Sequence, residues 1–251
     1  MFFAILNFTL SGAIFVVGIM TLRKVSSPNE VVFASLPLLF SLHQFTQGFV
    51  WLGMYHLIGE RALQMAESIF VFYAQGLLQF LVPLAIWLIE PGAVRKRLIA
   101  VLMVLGALLT GYALWKLSII PTKVTIVDGV LSYDNPATRQ FWLALGYILT
   151  TCGALILSSS IAIQLFGWLN LVGLTIVYLV KPYGFTSLWC LYAAGVSVLL
   201  YFYFVERRIA FLQEIREREN GLNEKLTKEL SHLEFSYPSF FNKKRQNKTV
   251  K

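Results

Sequence analysis

Seven apolar runs of about 20 residues follow one another almost without pause up to residue 205, and no other feature limits the fold as much. A helix of that length crosses the ~30 Å hydrocarbon core of a bilayer. Lipid offers no partner to backbone N–H and C=O groups, so each run must satisfy its own, as a helix does. The runs lie at 2–22, 31–55, 67–90, 98–118, 139–158, 162–181 and 185–205. They predict an all-α, seven-transmembrane helix bundle with short links and antiparallel neighbours. With 57% hydrophobic and 14% charged residues, the chain is far from a soluble domain, where charge is nearer a quarter.

The net charge of +8 would suit a nucleic-acid partner if the charges made a surface, but they do not. Arg23-Lys24, Arg95-Lys96-Arg97 and Arg207-Arg208 follow the first, third and seventh runs. Seven spans put these clusters on one side, with the N-terminus outside and the C-terminus in the cytoplasm. Arg61, Lys116, Lys123, Arg139 and Lys181 are scattered singly on the other side. Met1–Leu22 lacks the basic start and small-residue cleavage pattern of a signal peptide and reads as a retained first span. Cys152 and Cys190 lie inside apolar runs and read as packed free thiols.

Three domains are expected: a transmembrane domain over 1–205, an amphipathic charged cytoplasmic helix over 206–234, and a basic tail over 235–251. In the second, Leu212, Ile215, Leu222, Leu226, Leu230 and Leu233 recur at mixed three-, four- and seven-residue steps among charges of both signs. That pattern suits a helix that recruits a cytoplasmic protein partner. The tail carries Lys243-Lys244-Arg245 and is expected to be disordered, either free in solution or resting on anionic lipid. Between spans four and five, β-branched residues flank Asp128-Gly129, which predicts a small β-hairpin on the outer face. A turn at Asn135-Pro136 follows, and Lys181-Pro182-Tyr183-Gly184 leaves room only for a tight turn.

Polar side chains near one depth mark the candidate site. Span two carries His43, Gln44 and Gln47 at three- and four-residue spacing, hence on one side of a helix, with Trp51 one turn beyond. Span three carries Gln75 and Gln79, with Pro83 one turn further. Asn170, Ser11, Thr110, Thr150 and Thr151 fall at similar depth. Such groups either line a cavity for a ligand or bond one helix to another and fix the packing. The ligand-binding set is His43, Gln44, Gln47, Trp51, Gln75, Gln79 and Asn170. No catalytic set and no cofactor are expected. The other histidines, His56 and His232, lie at a span end and in the tail, so no zinc triad assembles at one depth. No Asp or Glu lies deep in a span, which argues against ion-coupled transport. Residues 185–204 contain no lysine for a retinal Schiff base. Cys190 has no base on its own helix and reads as packing.

Several short motifs occur in a telling order. They are Pro37-Leu-Leu-Phe40 with Gln44-Phe45-x-x-Gly48 and Val50-Trp51-Leu52, then Pro83 before a basic loop, then the Val-Asp-Gly loop. Leu157-Ser158-Ser159 with Leu165-Phe166-Gly167, and Ser187-Leu188-Trp189-Cys190, complete the series. Up to about residue 205 the chain thus resembles an uncharacterised family of bacterial seven-helix integral membrane proteins. The resemblance implies the fold and a multi-pass place in the bacterial inner membrane, and implies no activity. Relatives commonly read Gln-Gln-Phe-x-Glu-Gly where this chain has His43-Gln44-Phe45-Thr46-Gln47-Gly48, so Gln47 replaces an acidic residue. His43 is then the ionisable group left at that depth.

Two functional readings stand. One is a sensor or receptor-like module that binds a lipid or small molecule in a midplane polar cavity. The other is an intramembrane enzyme or carrier for an apolar substrate, with His43 as acid or base. The charged helix after span seven favours the first, since an enzyme has no need of it.

Overall fold

The structure, a computed structural model, describes residues 1–135 and 140–235, with side chains through Glu229. Pro136 of the expected turn, Arg139, the side chains of Leu230 and Leu233, and the basic tail beyond residue 235 lie outside the described residues. The chain divides into two compact units, Met1–Glu206 and Arg207–Lys251.

The first unit is mostly helical. Its elements are α1 (Phe2–Leu22), α2 (Val31–Ala34), α3 (Leu36–Met54), α4 (Glu60–Val71), α5 (Leu78–Ile89) and α6 (Ala93–Ile119). The strands β1 (Lys123–Val127) and β2 (Val130–Asp134) follow, then α7 (Phe141–Ile148), α8 (Ala154–Ile156), α9 (Ile161–Val180), α10 (Phe185–Val196) and the start of α11 (Leu199–Phe235). Among the described residues five helical segments are long and apolar enough to cross a membrane: Phe2–Leu22, Glu60–Ile89, Ala93–Ile119, Ile161–Val180 and Pro182–Glu229. Leu36–Met54 has the length, but Ser41, His43, Gln44, Thr46 and Gln47 lower its mean hydropathy. Phe141–Ile156 is a shorter apolar segment.

Two helices are interrupted by π-turns, Phe72–Leu77 between α4 and α5 and Leu149–Gly153 between α7 and α8. A π-turn loosens the i→i−4 ladder and leaves carbonyls in want of donors. Polar side chains supply them. Thr110 of α6 donates to Gly76 O at 2.7 Å, and the Gln79 amide donates back to Gln75 O. Thr150 donates to Gly146 O at 2.9 Å and Thr151 to Tyr147 O at 2.7 Å. Pro83, with no N–H, frees the Gln79 carbonyl as well, and there α6 approaches through Gly106: a Cβ on Gly106 would lie 1.9 Å from Gln79 O.

Packing of α1 on α3 follows the same economy. Ser11 donates to Ser41 O at 2.9 Å and Ser41 to Ser11 O at 2.8 Å, a reciprocal clamp inside apolar surroundings. Gly18 and Gly48 admit Leu38 and Phe8 at the same seam.

The hairpin forms as the Asp-Gly pair predicts. Asp128 and Gly129 take φ of 48° and 77°, the left-handed pair of a type I′ turn, and Val127 pairs with Val130 in an antiparallel ladder. Alternation turns Leu131 and Tyr133 inward. Leu131 is fully buried with Ala4, Val50, Trp51 and Ala66.

At the opposite end, Glu90 is 2% exposed and ties two loops together. It accepts hydrogen bonds from Gly92 N at 3.1 Å, Ser159 N at 2.8 Å and the Ser158 hydroxyl at 3.3 Å. Arg95 and Gln164 each donate to Ser158 O at 2.6 Å. Burial is the largest single influence on the Glu90 carboxyl and raises its pKa, but the bonds from Ser159, Gly92 and Ser158 together outweigh it and hold the pKa below the ordinary value of 4.5. A depressed folded-state pKa adds stability above the ordinary value that is lost as pH falls through the folded one. Glu90→Gln is therefore expected to cost about 1.5–3 kcal/mol at neutral pH. It should also flatten the fall of the melting temperature in acid, which thermal unfolding from neutral to acid pH measures.

In the second unit the described residues are helical and, apart from half-buried Arg208, exposed. Arg218 pairs with Glu214 at 2.6 Å and Lys228 with Glu224 at 2.9 Å, both i,i+4. Exposed pairs of this kind add only tenths of a kcal/mol. Leu212, Ile215, Leu222 and Leu226 are exposed too.

Candidate functional site

Most of the polar residues singled out from sequence have partners close at hand. Ser11, Thr110, Thr150, Thr151 and Gln79 serve the backbone as described above. Asn170 does likewise, donating to Phe166 O at 2.7 Å. Trp51 stacks between Phe3 (4.7 Å, 19°) and Tyr55 (5.7 Å, 26°) and packs with Leu131. Gln75 is half-buried. The Oε1 atoms of Gln75 and Gln79 are buried without a partner. No hydrogen bond joins either residue to Gln44 or Gln47 among the described residues.

The α3 group is different. His43 is 2% exposed, Gln44 0% and Gln47 2%, so all three are withdrawn from solvent. Among the described residues, both ring nitrogens of His43, both amide atoms of Gln44 and Oε1 of Gln47 have no hydrogen-bond partner. Gln47 Nε2 alone is satisfied, donating to the Ser187 hydroxyl of α10. A buried polar group without a bond costs about 1–3 kcal/mol, and few are tolerated in a native fold.

Around them stand rings. His43 lies flat on Phe70 (4.0 Å, 15°) and against Tyr73 (4.6 Å, 30°). Phe70 in turn stacks on Tyr133 of β2 (4.4 Å, 16°). The four rings make a column from the hairpin to the first π-turn, and the hydroxyls at its two ends, on Tyr133 and Tyr73, are also buried without a partner. Cys190 of α10 lies within electrostatic reach of Tyr73, Tyr133 and Tyr147. Trp189 donates to the Tyr147 hydroxyl at 3.3 Å. On the flank of the cluster, Phe40, Tyr147, Thr151, Phe166, Asn170 and Trp189 border a cavity of about 30 Å³. That is water-sized and far below the ~300 Å³ of a drug-sized pocket.

Sequence reading missed Phe70, Tyr73, Tyr133 and Tyr147. Tyr73 carries no polar neighbour at helical spacing to distinguish it, and a π-turn is invisible to a 3.6-residue pattern. The alternation of Leu131 and Tyr133 was the available signal for the hairpin's inward face. Among the described residues no three His, Cys, Asp or Glu side chains group as metal ligands would.

Comparison with known proteins adds one finding. No curated protein and no solved structure matches the chain. A family model described as a family of unknown function, DUF6629, matches residues 2–215, and the chain belongs to that family.

Proposed function

We propose that this is a seven-span protein of the bacterial inner membrane, with its N-terminus outside, that binds a small molecule or lipid through His43, Gln44 and Gln47. In this reading Tyr73 and Tyr133 complete the site, and the charged helix beyond residue 206 passes the bound state to a cytoplasmic partner. Gln75, Gln79, Trp51 and Asn170 support its walls. The observation that carries the proposal is that two adjacent side chains, His43 and Gln44, are buried with every polar atom unpartnered. Packing glue makes bonds; these groups make none within the protein, and a ligand with complementary donors and acceptors supplies them. The basic clusters at Arg23, Arg95 and Arg207 support the orientation. The 19 residues of α3 span about 28 Å at 1.5 Å per residue, which supports counting it as a span.

Two experiments test the reading. Wild type and Gln44→Met, purified alike from their membranes, are compared by native mass spectrometry after gentle release. A discrete bound species is expected on wild type and absent from the variant; an empty wild type, or equal loading, counts against the site. Orientation is read by impermeant thiol labelling of intact cells, which should reach Asp128→Cys and miss Glu219→Cys. The reverse pattern inverts the topology.

A further inference from the structure

Resting on the reading of the His43 cluster as a binding site, we infer that the β1–β2 hairpin is a displaceable cover over it, and that the ligand is an uncharged hydrogen-bonding molecule arriving from the water on the hairpin side. The ring column gives the route. Tyr133 covers Phe70, and Phe70 covers one face of His43, so lifting β2 uncovers the path to the imidazole and to Gln44. The unpartnered side-chain atoms of Tyr133, His43 and Tyr73 lie along this same column, and Gln44 follows His43 on α3.

The hairpin is held by what its inward side chains seat. A two-stranded sheet is not stable alone in water, so its place depends on what it seats in the bundle. That is Leu131 and Tyr133, with Val124 packed beside them and Val130 abutting Gly184, while Asn135 at its base donates to Ile120 O and the Thr122 hydroxyl, each at 3.1 Å. Its tip is tied by one exposed ion pair among the described residues, Lys181–Asp128 at 3.6 Å, a kind of contact worth little.

The chemistry of the ligand follows from the groups that await it. They are an imidazole, two primary amides and two phenols, which donate and accept hydrogen bonds. No Lys or Arg stands among them to balance an anion. Burial first, then Cys190 and Glu67, pushes the Tyr133 hydroxyl well up, so it remains a neutral phenol. Glu67 is half-buried on α4 and acts on Tyr133 at the outer end of the column, while no charged group acts on His43 among the described residues. A formally charged ligand would lose its hydration there without a counter-charge.

Cys190, beside three of the tyrosines, reports access. The full chain in lipid nanodiscs, in a Cys152→Ala background, is treated with methyl methanethiosulfonate, which is neutral, or with its anionic sulfonatoethyl counterpart. Relative to free cysteine, the neutral reagent is expected to modify Cys190 at least about a hundredfold faster than the anion. Equal relative rates would overturn the uncharged-ligand claim. The Cβ of Val130 and one built on Gly184 would lie 3.1 Å apart, under the roughly 3.5–4.5 Å of a disulfide, so Val130→Cys with Gly184→Cys closes one across the cover after a shift of a few tenths of an ångström. Oxidation should slow Cys190 modification about tenfold and reduction restore it, while Tyr133→Ala should speed it about tenfold. If the cross-link leaves the rate unchanged, the core is reached from lipid and the hairpin is no cover, even where Gln44→Met still loses its bound species. Recovery on reduction shows that the cross-linked protein was folded throughout.

Discussion

Gly106→Val is expected to prevent the bundle from assembling, and Gly106→Ala to destabilise it by about 3 kcal/mol, the upper end of what overpacking costs. A Cβ at this position would stand 1.9 Å from the carbonyl oxygen of Gln79. What it meets is backbone, not the far end of a flexible side chain, so no rotamer change relieves it. The backbone there is fixed twice over. Pro83 tilts and frees that carbonyl, and one turn earlier Thr110 is bonded to Gly76 O. Separating α5 from α6 to admit a methyl group would break the Thr110 bond as well. Gly111 lies on the same helix with open space around its Cα. Gly111→Ala should therefore leave stability unchanged or raise it by up to about 1 kcal/mol through helix propensity. The two alanine variants, compared by thermal unfolding in one detergent, separate the effect of close approach from that of substituting any glycine in α6.

The second large effect has the opposite sign. Gln44→Met keeps the length and flexibility of the side chain and removes its polar end. Removing buried groups that have no partner takes away a desolvation cost without breaking a bond, so the ligand-free protein should gain about 1–3 kcal/mol. Binding should be lost in the same variant, because the amide proposed to meet the ligand is gone. Gain of stability with loss of function is the pattern of a site that holds unfavourable groups for use. Ser41→Ala is the contrast. Its hydroxyl donates to Ser11 O at 2.8 Å, and its loss should destabilise without touching ligand binding.

How much of this was legible in the sequence depended on the kind of signal. The apolar runs place the helices because hydrophobicity over twenty residues is a strong, local pattern, and Asp128-Gly129 places the hairpin because few residues tolerate two successive positive φ angles. The polar positions within the apolar runs were legible as positions but not as roles. Thr110, Gln79, Thr150 and Thr151 look like candidate ligands until the π-turns at Phe72–Leu77 and Leu149–Gly153 are known. Those turns leave carbonyls that these side chains bond, and nothing in a 3.6-residue periodicity announces them. His43, Gln44 and Gln47 stood out as polar groups in an apolar run. That His43 would stand in a column with Phe70, Tyr73 and Tyr133, the last from outside the adjacent span, is a matter of tertiary register. Tyr133 belongs to a loop element that sequence treated as a cap, and its inward alternation with Leu131 was the clue left unread.

The measurement that bears most directly on the site is the melting temperature of ligand-free wild type against ligand-free Gln44→Met, taken in the same detergent at neutral pH. The account predicts that the variant melts higher, because an amide with neither of its polar atoms bonded is replaced by an apolar chain of like shape. A lower melting temperature for Gln44→Met would contradict it: the amide would then be making bonds that hold the helices together, and the cluster around His43 would be packing and not a binding site.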